Sequence, residues 1–153
     1  MTAIFQITRN AVAFTSASTK NEILIQLANR FALAYGLDPD CVLEHLEERE
    51  KLGSTGFGRG VAIPHARIAE IRRPVAAMLK LEEPADFASS DGMPVDLVFG
   101  LLSPENAGAT HLHALAAISR MVREEGMHEA MTEAPDAEAL FALVSNVSAR
   151  DAA

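Results

Sequence analysis

The chain has 153 residues, of which 13 are lysine or arginine and 21 are aspartate or glutamate, so its formal net charge is −8 at pH 7. This balance argues against a basic nucleic-acid-binding surface, and a hydrophobic content of 49% suffices for the core of one domain. The longest apolar run, 95–102, is too short to cross a bilayer, and the N-terminus lacks a signal-peptide pattern. We therefore expect a single cytoplasmic domain over 1–153, with its core at about 11–146 and without membrane insertion.

The first predicted elements are a short strand over 11–15 and a capped helix. Thr19 followed three residues later by Glu22 is the pattern of a capping box, so the helix begins there and ends at Gly36. The apolar residues expected on this helix are Ile23, Leu24, Leu27, Phe31 and Leu33.

A second helix begins with Asp38 as its N-cap and Pro39 in its first turn, and runs to about Lys51. Arg49 lies three residues after the apolar Leu46, on the apolar face near the helix end. Its side chain either covers the core with its stem and reaches water, or points at an anionic ligand.

The most informative segment follows this helix: a glycine-dense loop over 53–60 leads into a short apolar strand over 61–63 and then Pro64 and His65. Four glycines in such a loop allow backbone N–H groups to surround an anion, although a glycine-rich stretch can equally be a flexible connector. His65 can supply a nucleophilic nitrogen, or it can be an ordinary core or solvated histidine. Loop and histidine together suggest phosphoryl handling.

Two further strands are predicted over 75–81 and 95–102, and the second is apolar enough to be a buried central strand. Along the whole chain, the predicted strands and helices alternate in a way that indicates a sheet covered by helices. We therefore expect an α/β fold with three layers, in which a mixed β-sheet is flanked by helices on both faces.

The C-terminal third is predicted to be helical. Thr110 is expected to cap a helix that Gly126 interrupts, and Asp136 to cap a final helix through Val144. The segment from Ser148 onward is predicted to be a frayed tail.

Two histidines lie near the start of the helix at Thr110. Helical spacing places His111 at the edge of an inward stripe and His113 on the far side. His111 also falls in the first turn, where unpaired N–H groups favour an anion. Because the two rings diverge, a metal pair is not expected. The stripe is predicted to contain Leu112, Leu115, Ala116, Ser119 and Val122.

Four segments carry a family resemblance: 50–56 (EKLGSTG), 60–65 (GVAIPH), 94–102 (PVDLVFGLL) and 110–115 (THLHAL). They resemble the enzyme IIA domain of the bacterial phosphoenolpyruvate phosphotransferase system, in the fructose/mannitol superfamily and its nitrogen-regulatory type. The resemblance extends from about 11 to 146. One departure is Ala66, since the family usually has glycine there. If position 66 required a positive φ, alanine would cost about 1 kcal/mol.

The resemblance implies a set of site residues. His65 would accept the phosphoryl group on Nε2, with His111 as the second active-site histidine and Arg49 as the family's conserved arginine. The loop residues Ser54, Thr55 and Gly56 would bind phosphoryl oxygens, although Ser54 and Thr55 can also be ordinary turn residues. No metal or cofactor is expected for this transfer.

The remaining candidates have simpler interpretations. His45, His113 and His128 are expected to be surface or structural residues, and Cys41 a small buried thiol without chemistry. Phe57 either docks a partner or anchors the loop. A nucleotide-binding loop is not expected, because no Gly-Lys-Ser/Thr ending is present and the loop precedes a strand.

Two functions follow from the resemblance. The nitrogen-regulatory type implies a protein that takes a phosphoryl group from a histidine phosphocarrier protein and regulates partner proteins according to its phosphorylation state. The alternative is a fructose/mannitol-type carrier that passes the group to an enzyme IIB for sugar uptake.

Overall fold

The computed structural model describes residues 4–152, with side chains described as far as Ser145. Helices pack on a mixed six-stranded sheet, which confirms the predicted α/β fold. The strands are β1 (Val12–Thr15), β2 (Gly56–Gly58), β3 (Val61–Ala62), β4 (His65–Ile68), β5 (Val75–Ala85) and β6 (Val95–Pro104). The helices are α1 (Lys20–Tyr35), α2 (Pro39–Lys51), α3 (Ala109–Arg123), α4 (Glu125–Glu133) and α5 (Ala137–Ala152), and a short 3-10 turn (Arg9–Ala11) precedes β1.

The sheet has the order β1-β5-β6-β3-β2, and β4 pairs with the far end of β6. The central pair β5 and β6 is antiparallel, whereas β1 pairs with β5, and β3 and β4 pair with β6, in parallel. Strands β2 and β4 were not predicted from the sequence. Strand β2 consists of glycine, phenylalanine and glycine and shows no alternating apolar pattern, whereas β4 alternates but is only four residues long.

Each face of the sheet has its own hydrophobic core. On β5, Ala77 and Leu79 belong to the core beneath α1 and α2, whereas Ala76 and Met78 belong to the core beneath α3, α4 and α5. This alternation follows from the two-residue period of a strand, and both faces are apolar because both are covered. The predicted three layers are thus confirmed.

The ends of α1 and α2 agree with the predicted caps. Thr19 Oγ1 accepts a hydrogen bond from the Glu22 N–H at 3.1 Å, and Gly36 ends α1 in the left-handed region with φ 69°. The Asp38 side chain caps α2. One expectation fails: Leu33 is 66% exposed and does not belong to the buried stripe of α1.

Two predicted helix boundaries in the C-terminal third are wrong. Helix α3 begins after Gly108 and not at Thr110, because the Thr110 N–H already donates to the Ala107 carbonyl in the first turn. The break between α3 and α4 lies at Glu124, whose backbone is extended, and Gly126 lies inside the first turn of α4.

The last helix begins as predicted and continues further than predicted. The Asp136 carboxylate accepts the N–H of Ala139 at 2.9 Å, which confirms the cap. The backbone is helical as far as Ala152, so the expected frayed tail from Ser148 is wrong.

Candidate functional site

His65 lies where the chain leaves β3 and begins β4. Its Nδ1 is 2.7 Å from the carbonyl oxygen of Ile63, and because a carbonyl can only accept, Nδ1 carries the proton and donates. In the neutral ring, Nε2 therefore keeps its lone pair. Burial lowers the pKa of His65, the Ile63 hydrogen bond opposes this shift, and the charge of Arg49 adds to it. The ring is thus a neutral imidazole with a free Nε2 near pH 7.

His111 lies in the first turn of α3, 5% exposed, with its ring centroid 5.7 Å from that of His65. Its Nδ1 is 2.6 Å from the hydroxyl oxygen of Ser103 on β6, which is fully buried. Burial, followed by the positive charge of Arg67, lowers the pKa of His111 to about 4. Both rings are therefore uncharged at neutral pH.

The buried stripe of α3 differs from the predicted one. Leu112 is 63% exposed, Leu115 is half-buried against the core beneath α3, and both border a cleft. Leucines at the rim of a cleft mimic a core stripe in the sequence, which shifted the predicted face by one position. His111 consequently lies within the stripe and not at its edge. The buried residues of α3 are His111, Ala114, Ala117, Ile118, Met121 and Val122.

His65, His111 and Arg49, which the resemblance implied as a site, line one open cleft of about 440 Å³. Arg49 reaches it from the end of α2, where its Nη1 donates to the Gly53 carbonyl at 3.0 Å. The cleft lies between α2, β4 and α3. Its lining residues are His45, Glu48, Arg49, Leu52, His65, Ala66, Arg67, His111, Leu112 and Leu115.

Two lining residues were missed as site candidates: Arg67 was not considered, and His45 was expected to be only structural or at the surface. Arg67 follows His65 by two residues on β4, so the strand period places both side chains on the same side. His45 precedes Arg49 by four residues on α2, so the helical period does the same. These two spacings were the signals available in the sequence. Glu48 is the one carboxylate in the lining.

Both hydroxyl groups of the loop residues expected to bind phosphoryl oxygens, and the N–H groups of Thr55 and Gly56, are engaged elsewhere. Thr55 donates its N–H and its hydroxyl to the Glu50 carboxylate. The Ser54 hydroxyl donates to the Phe87 carbonyl at 3.1 Å, and the Gly56 N–H donates to the Ser54 hydroxyl oxygen at 3.1 Å. None of the three loop residues lines the cleft. Their phosphate-binding role stays a prediction.

Glu50 ties this loop to the site. Its side chain is 6% exposed and accepts from Lys20 Nζ at 2.5 Å as well as from Thr55. The Thr55 carbonyl in turn accepts the Ile63 N–H at 2.9 Å, and the Ile63 carbonyl holds His65. The start of α1, the end of α2 and the histidine are thus joined by one hydrogen-bonded chain. Glycine is required at 56, since a Cβ there would overlap Ser89.

Ala66 needs no special backbone conformation. Among the described residues, Arg59 and Ala88 are the two with a side chain at positive φ, so Ala66 has ordinary backbone within β4. It pairs with Leu102 and is 9% exposed. The strain that a positive φ would have caused is therefore absent.

The other histidines have separate environments. His113 is exposed, on the opposite side of α3 from His111, as predicted. His128 Nε2 donates to the Arg59 carbonyl at 3.0 Å and so links α4 to the turn between β2 and β3. His45 Nδ1 donates to the Cys41 carbonyl at 2.8 Å, in addition to lining the cleft.

Phe57 and Cys41 lie outside the cleft lining. Phe57 is half-buried against the core beneath α3, with the Arg123 guanidinium carbon 5.9 Å from its ring centroid. Cys41 was expected to be buried, but it is half-buried. Burial, and after it the neighbouring Glu70, raises the pKa of its thiol. The contacts of Phe57 fit an anchoring residue, and its docking role stays a prediction.

The described part of the chain contains neither a metal-binding cluster nor a membrane-spanning helix. No three side chains among His, Cys, Asp and Glu there are grouped closely enough to hold a metal ion. None of the helices described has the length and apolarity needed to cross a membrane.

Known proteins share both the sequence pattern and the fold of this chain. Residues 6–147 match the family described as "Phosphoenolpyruvate-dependent sugar phosphotransferase system, EIIA 2". The chain is similar to the nitrogen regulatory proteins of Pseudomonas aeruginosa (44% identical over 130 residues, 84% of each chain) and Bradyrhizobium diazoefficiens (41% over 128 residues, 84% of each). The crystal structure of nitrogen regulatory protein IIA-Ntr from Neisseria meningitidis has a TM-score of 0.83 and 32% identity, covering 90% of this chain and 95% of that one. The predicted resemblance to the nitrogen-regulatory type is confirmed.

Proposed function

Because this chain belongs to the EIIA 2 family of the phosphoenolpyruvate-dependent sugar phosphotransferase system, a family of phosphotransfer proteins, we propose that His65 accepts a phosphoryl group on Nε2 from a histidine phosphocarrier protein in the cytoplasm. The observation that supports this most directly is the hydrogen bond from His65 Nδ1 to the Ile63 carbonyl. It fixes the proton on Nδ1 and leaves Nε2 as the nucleophile.

The chemistry requires little beyond alignment and charge neutralisation. The Nε2 lone pair attacks phosphorus, an N–P bond forms, and the N–P bond of the donor breaks with its electron pair returning to the donor imidazole. No proton leaves His65, because Nδ1–H stays bonded to Ile63. Arg49 pairs with the phosphoryl oxygens through its guanidinium, which cannot lose its charge.

His111 contributes a neutral hydrogen-bond donor in this proposal. When the Ser103 hydroxyl donates to Nδ1 of His111, the ring proton resides on Nε2 and is available to a phosphoryl oxygen. A neutral donor suits a buried position, because a buried imidazolium without an anion would be costly. In this proposal, His111 donates its Nε2–H to a phosphoryl oxygen once the phosphoryl group has entered the cleft.

Phosphorylation would then regulate partner binding, as the names of the relatives suggest. The cleft is bordered by two exposed leucines, Leu52 at 84% and Leu112 at 63%. A phosphoryl group adds roughly −1.5 to −2 charges beside this apolar rim. A partner that docks on the leucines in the unphosphorylated state is released by repulsion and desolvation of the new charge.

The test is intact mass after incubation with phosphoenolpyruvate, the general phosphotransferase enzyme and the histidine carrier protein. Wild type should gain one acid-labile phosphoryl group and His65→Ala none, with His113→Ala as a matched control that gains it normally. Label that persists in His65→Ala would contradict the acceptor assignment. Absence of label in wild type, with a phosphorylated carrier present, would contradict the carrier function.

The second candidate is delivery of the group to an enzyme IIB for sugar uptake. Incubating the phosphorylated protein with a fructose-type enzyme IIB separates the two functions, since rapid transfer of the label would support uptake. Regulation is supported if a partner binds His65→Ala more tightly than the negatively charged His65→Asp. Equal affinities would contradict the switch.

A further inference from the structure

Arg67 is the charged residue nearest in sequence to His65 and shares its cleft. It is exposed on β4, two residues after His65 and directly opposite Ser103 on β6. Ser103 is the residue that holds His111. Arg67 therefore lies close to His65 on β4 and is paired across the sheet with Ser103, the residue that is bonded to His111.

Arg67 forms no ion pair within the described residues. The ion pairs found there join Arg9 to Glu138, Lys20 to Glu50, and Lys80 to Asp96, so neither Arg67 nor Arg49 takes part in one. Two guanidinium groups and a single carboxylate, that of Glu48, thus line one cleft of a chain whose net charge is −8. Like charges in a shared cleft repel, and an anion between them removes that cost.

We propose that Arg67 is a second guanidinium contact of the phosphoryl group on His65, so that the group is held between Arg67 and Arg49. This inference rests on the proposed phosphoryl acceptance by His65. The phosphoryl group on His65 carries close to two negative charges on three acceptor oxygens, while the ring, which keeps its Nδ1 proton, becomes positively charged. One guanidinium fork can hold two of these oxygens, whereas two arginines and the N–H of His111 supply donors for all three.

The experiment measures phosphorylation of His65 with two donors: the phosphorylated histidine carrier protein and phosphoramidate, which needs no protein surface. Arg67→Gln should slow phosphorylation by both donors roughly tenfold or more, as expected for one lost charged donor at a transferring group. Arg67→Lys keeps the charge but lacks the planar fork, so its phosphorylation rate should lie between those of wild type and Arg67→Gln. Arg73→Gln removes an exposed arginine outside the cleft and should match wild type.

A titration of the histidine rings by NMR provides a readout that a purely structural role would not change. The positive charge of Arg67 helps to lower the pKa of both His111 and His65. Arg67→Gln should therefore raise the pKa of both rings, whereas Arg73→Gln should leave them unchanged. Unaltered unfolding midpoints would show that the variants fold normally.

The outcomes separate this inference from the function on which it rests. Equal rates for wild type and Arg67→Gln with both donors would overturn the second contact and leave phosphoryl acceptance intact. Slowing with the protein donor alone would also overturn it, by showing that Arg67 contacts the donor protein instead of the phosphoryl group. If neither donor labels wild type, both the carrier function and this inference fall.

Discussion

The two histidine-bearing walls of the cleft hold their rings in different ways. On the β4 wall, the half-buried His65 donates from Nδ1 to the backbone carbonyl of Ile63. On the α3 wall, the buried His111 is bonded through Nδ1 to the hydroxyl of Ser103. A carbonyl can only accept a hydrogen bond, whereas a hydroxyl can donate or accept.

In the proposed transfer, this difference gives each wall a separate role. The nucleophile needs a lone pair on Nε2, and the Ile63 carbonyl keeps the proton of His65 on Nδ1. The assisting ring can use either tautomer, and the Ser103 hydroxyl allows His111 to present a lone pair or an N–H to the cleft. In this proposal a backbone carbonyl fixes the tautomer of the nucleophile, whereas a side-chain hydroxyl orients the ring that assists it.

Among variants that keep His65, the largest expected effect comes from removing the ring of His111. His111→Ala should lower the rate of phosphorylation roughly 100-fold, because it removes one positioned donor from the transferring group. Single-turnover kinetics with the phosphorylated carrier protein would measure it. His113→Ala, which truncates an exposed ring two residues further on, is the matched control. If the two variants behave alike, the α3 wall takes no part in transfer.

The burial of His111 also predicts how stability depends on pH. Its pKa is lowered from 6.5 to about 4 in the folded protein. As the pH falls through 6.5, the unfolded chain binds a proton that the folded chain does not, so stability falls with pH. Between pH 7.5 and 5 this amounts to about 2 kcal/mol, at about 1.4 kcal/mol per pKa unit.

Urea unfolding at both pH values would measure this loss. His111→Gln should lose about 2 kcal/mol less than wild type over the same interval, because the titrating group is gone. His113→Gln should keep the wild-type dependence. An identical pH dependence in wild type and His111→Gln would show that the folded and unfolded states protonate residue 111 equally.

A smaller effect is expected from the hydroxyl that supports His111. Ser103→Ala should slow transfer roughly tenfold, since the ring loses the bond that orients it and sets its tautomer. The effect should vanish in a His111→Ala background, which a double-mutant cycle would measure. Additive losses would mean that Ser103 acts on the β4 wall, through its pairing with Arg67, and not through His111.

Local signals in the sequence predicted the ends of α1 and the start of α2 well. Each of these signals involves residues within four positions of one another, so the sequence alone contains it: the caps at Thr19 and Asp38 and the helix stop at Gly36. The convergence of His65, His111 and Arg49 on one cleft also agrees with the resemblance.

The remainder depends on contacts between distant segments. Strand β2 exists only because its backbone pairs with β3, and no alternating pattern marks it. The predicted buried stripe of α3 lies one position away from the observed one because Leu112 and Leu115 border a cleft. An apolar residue at the rim of a cleft looks the same in the sequence as one in a core. The Glu50 carboxylate, which ties α1 and the glycine loop to the site, is recognisable only from its partners.

The smallest expected effect on stability is at Leu112, and it tests whether the α3 wall also serves as a docking surface. Because this side chain is 63% exposed, Leu112→Ala should change the free energy of unfolding by less than about 0.5 kcal/mol. Loss of an apolar docking contact should nevertheless raise the KM for the phosphorylated carrier protein roughly threefold to tenfold. Phosphorylation by phosphoramidate should stay unchanged, since that donor needs no docking surface.

Leu33→Ala is the matched control for this variant. Leu33 is 66% exposed on α1 and does not line the cleft, so its truncation removes a similar apolar surface outside the cleft. A raised KM in Leu112→Ala alone would place the carrier protein against the α3 wall. Identical KM values in both variants would instead limit that wall to the chemistry of His111, and the docking contacts would have to come from Leu52 and the α2 side of the cleft.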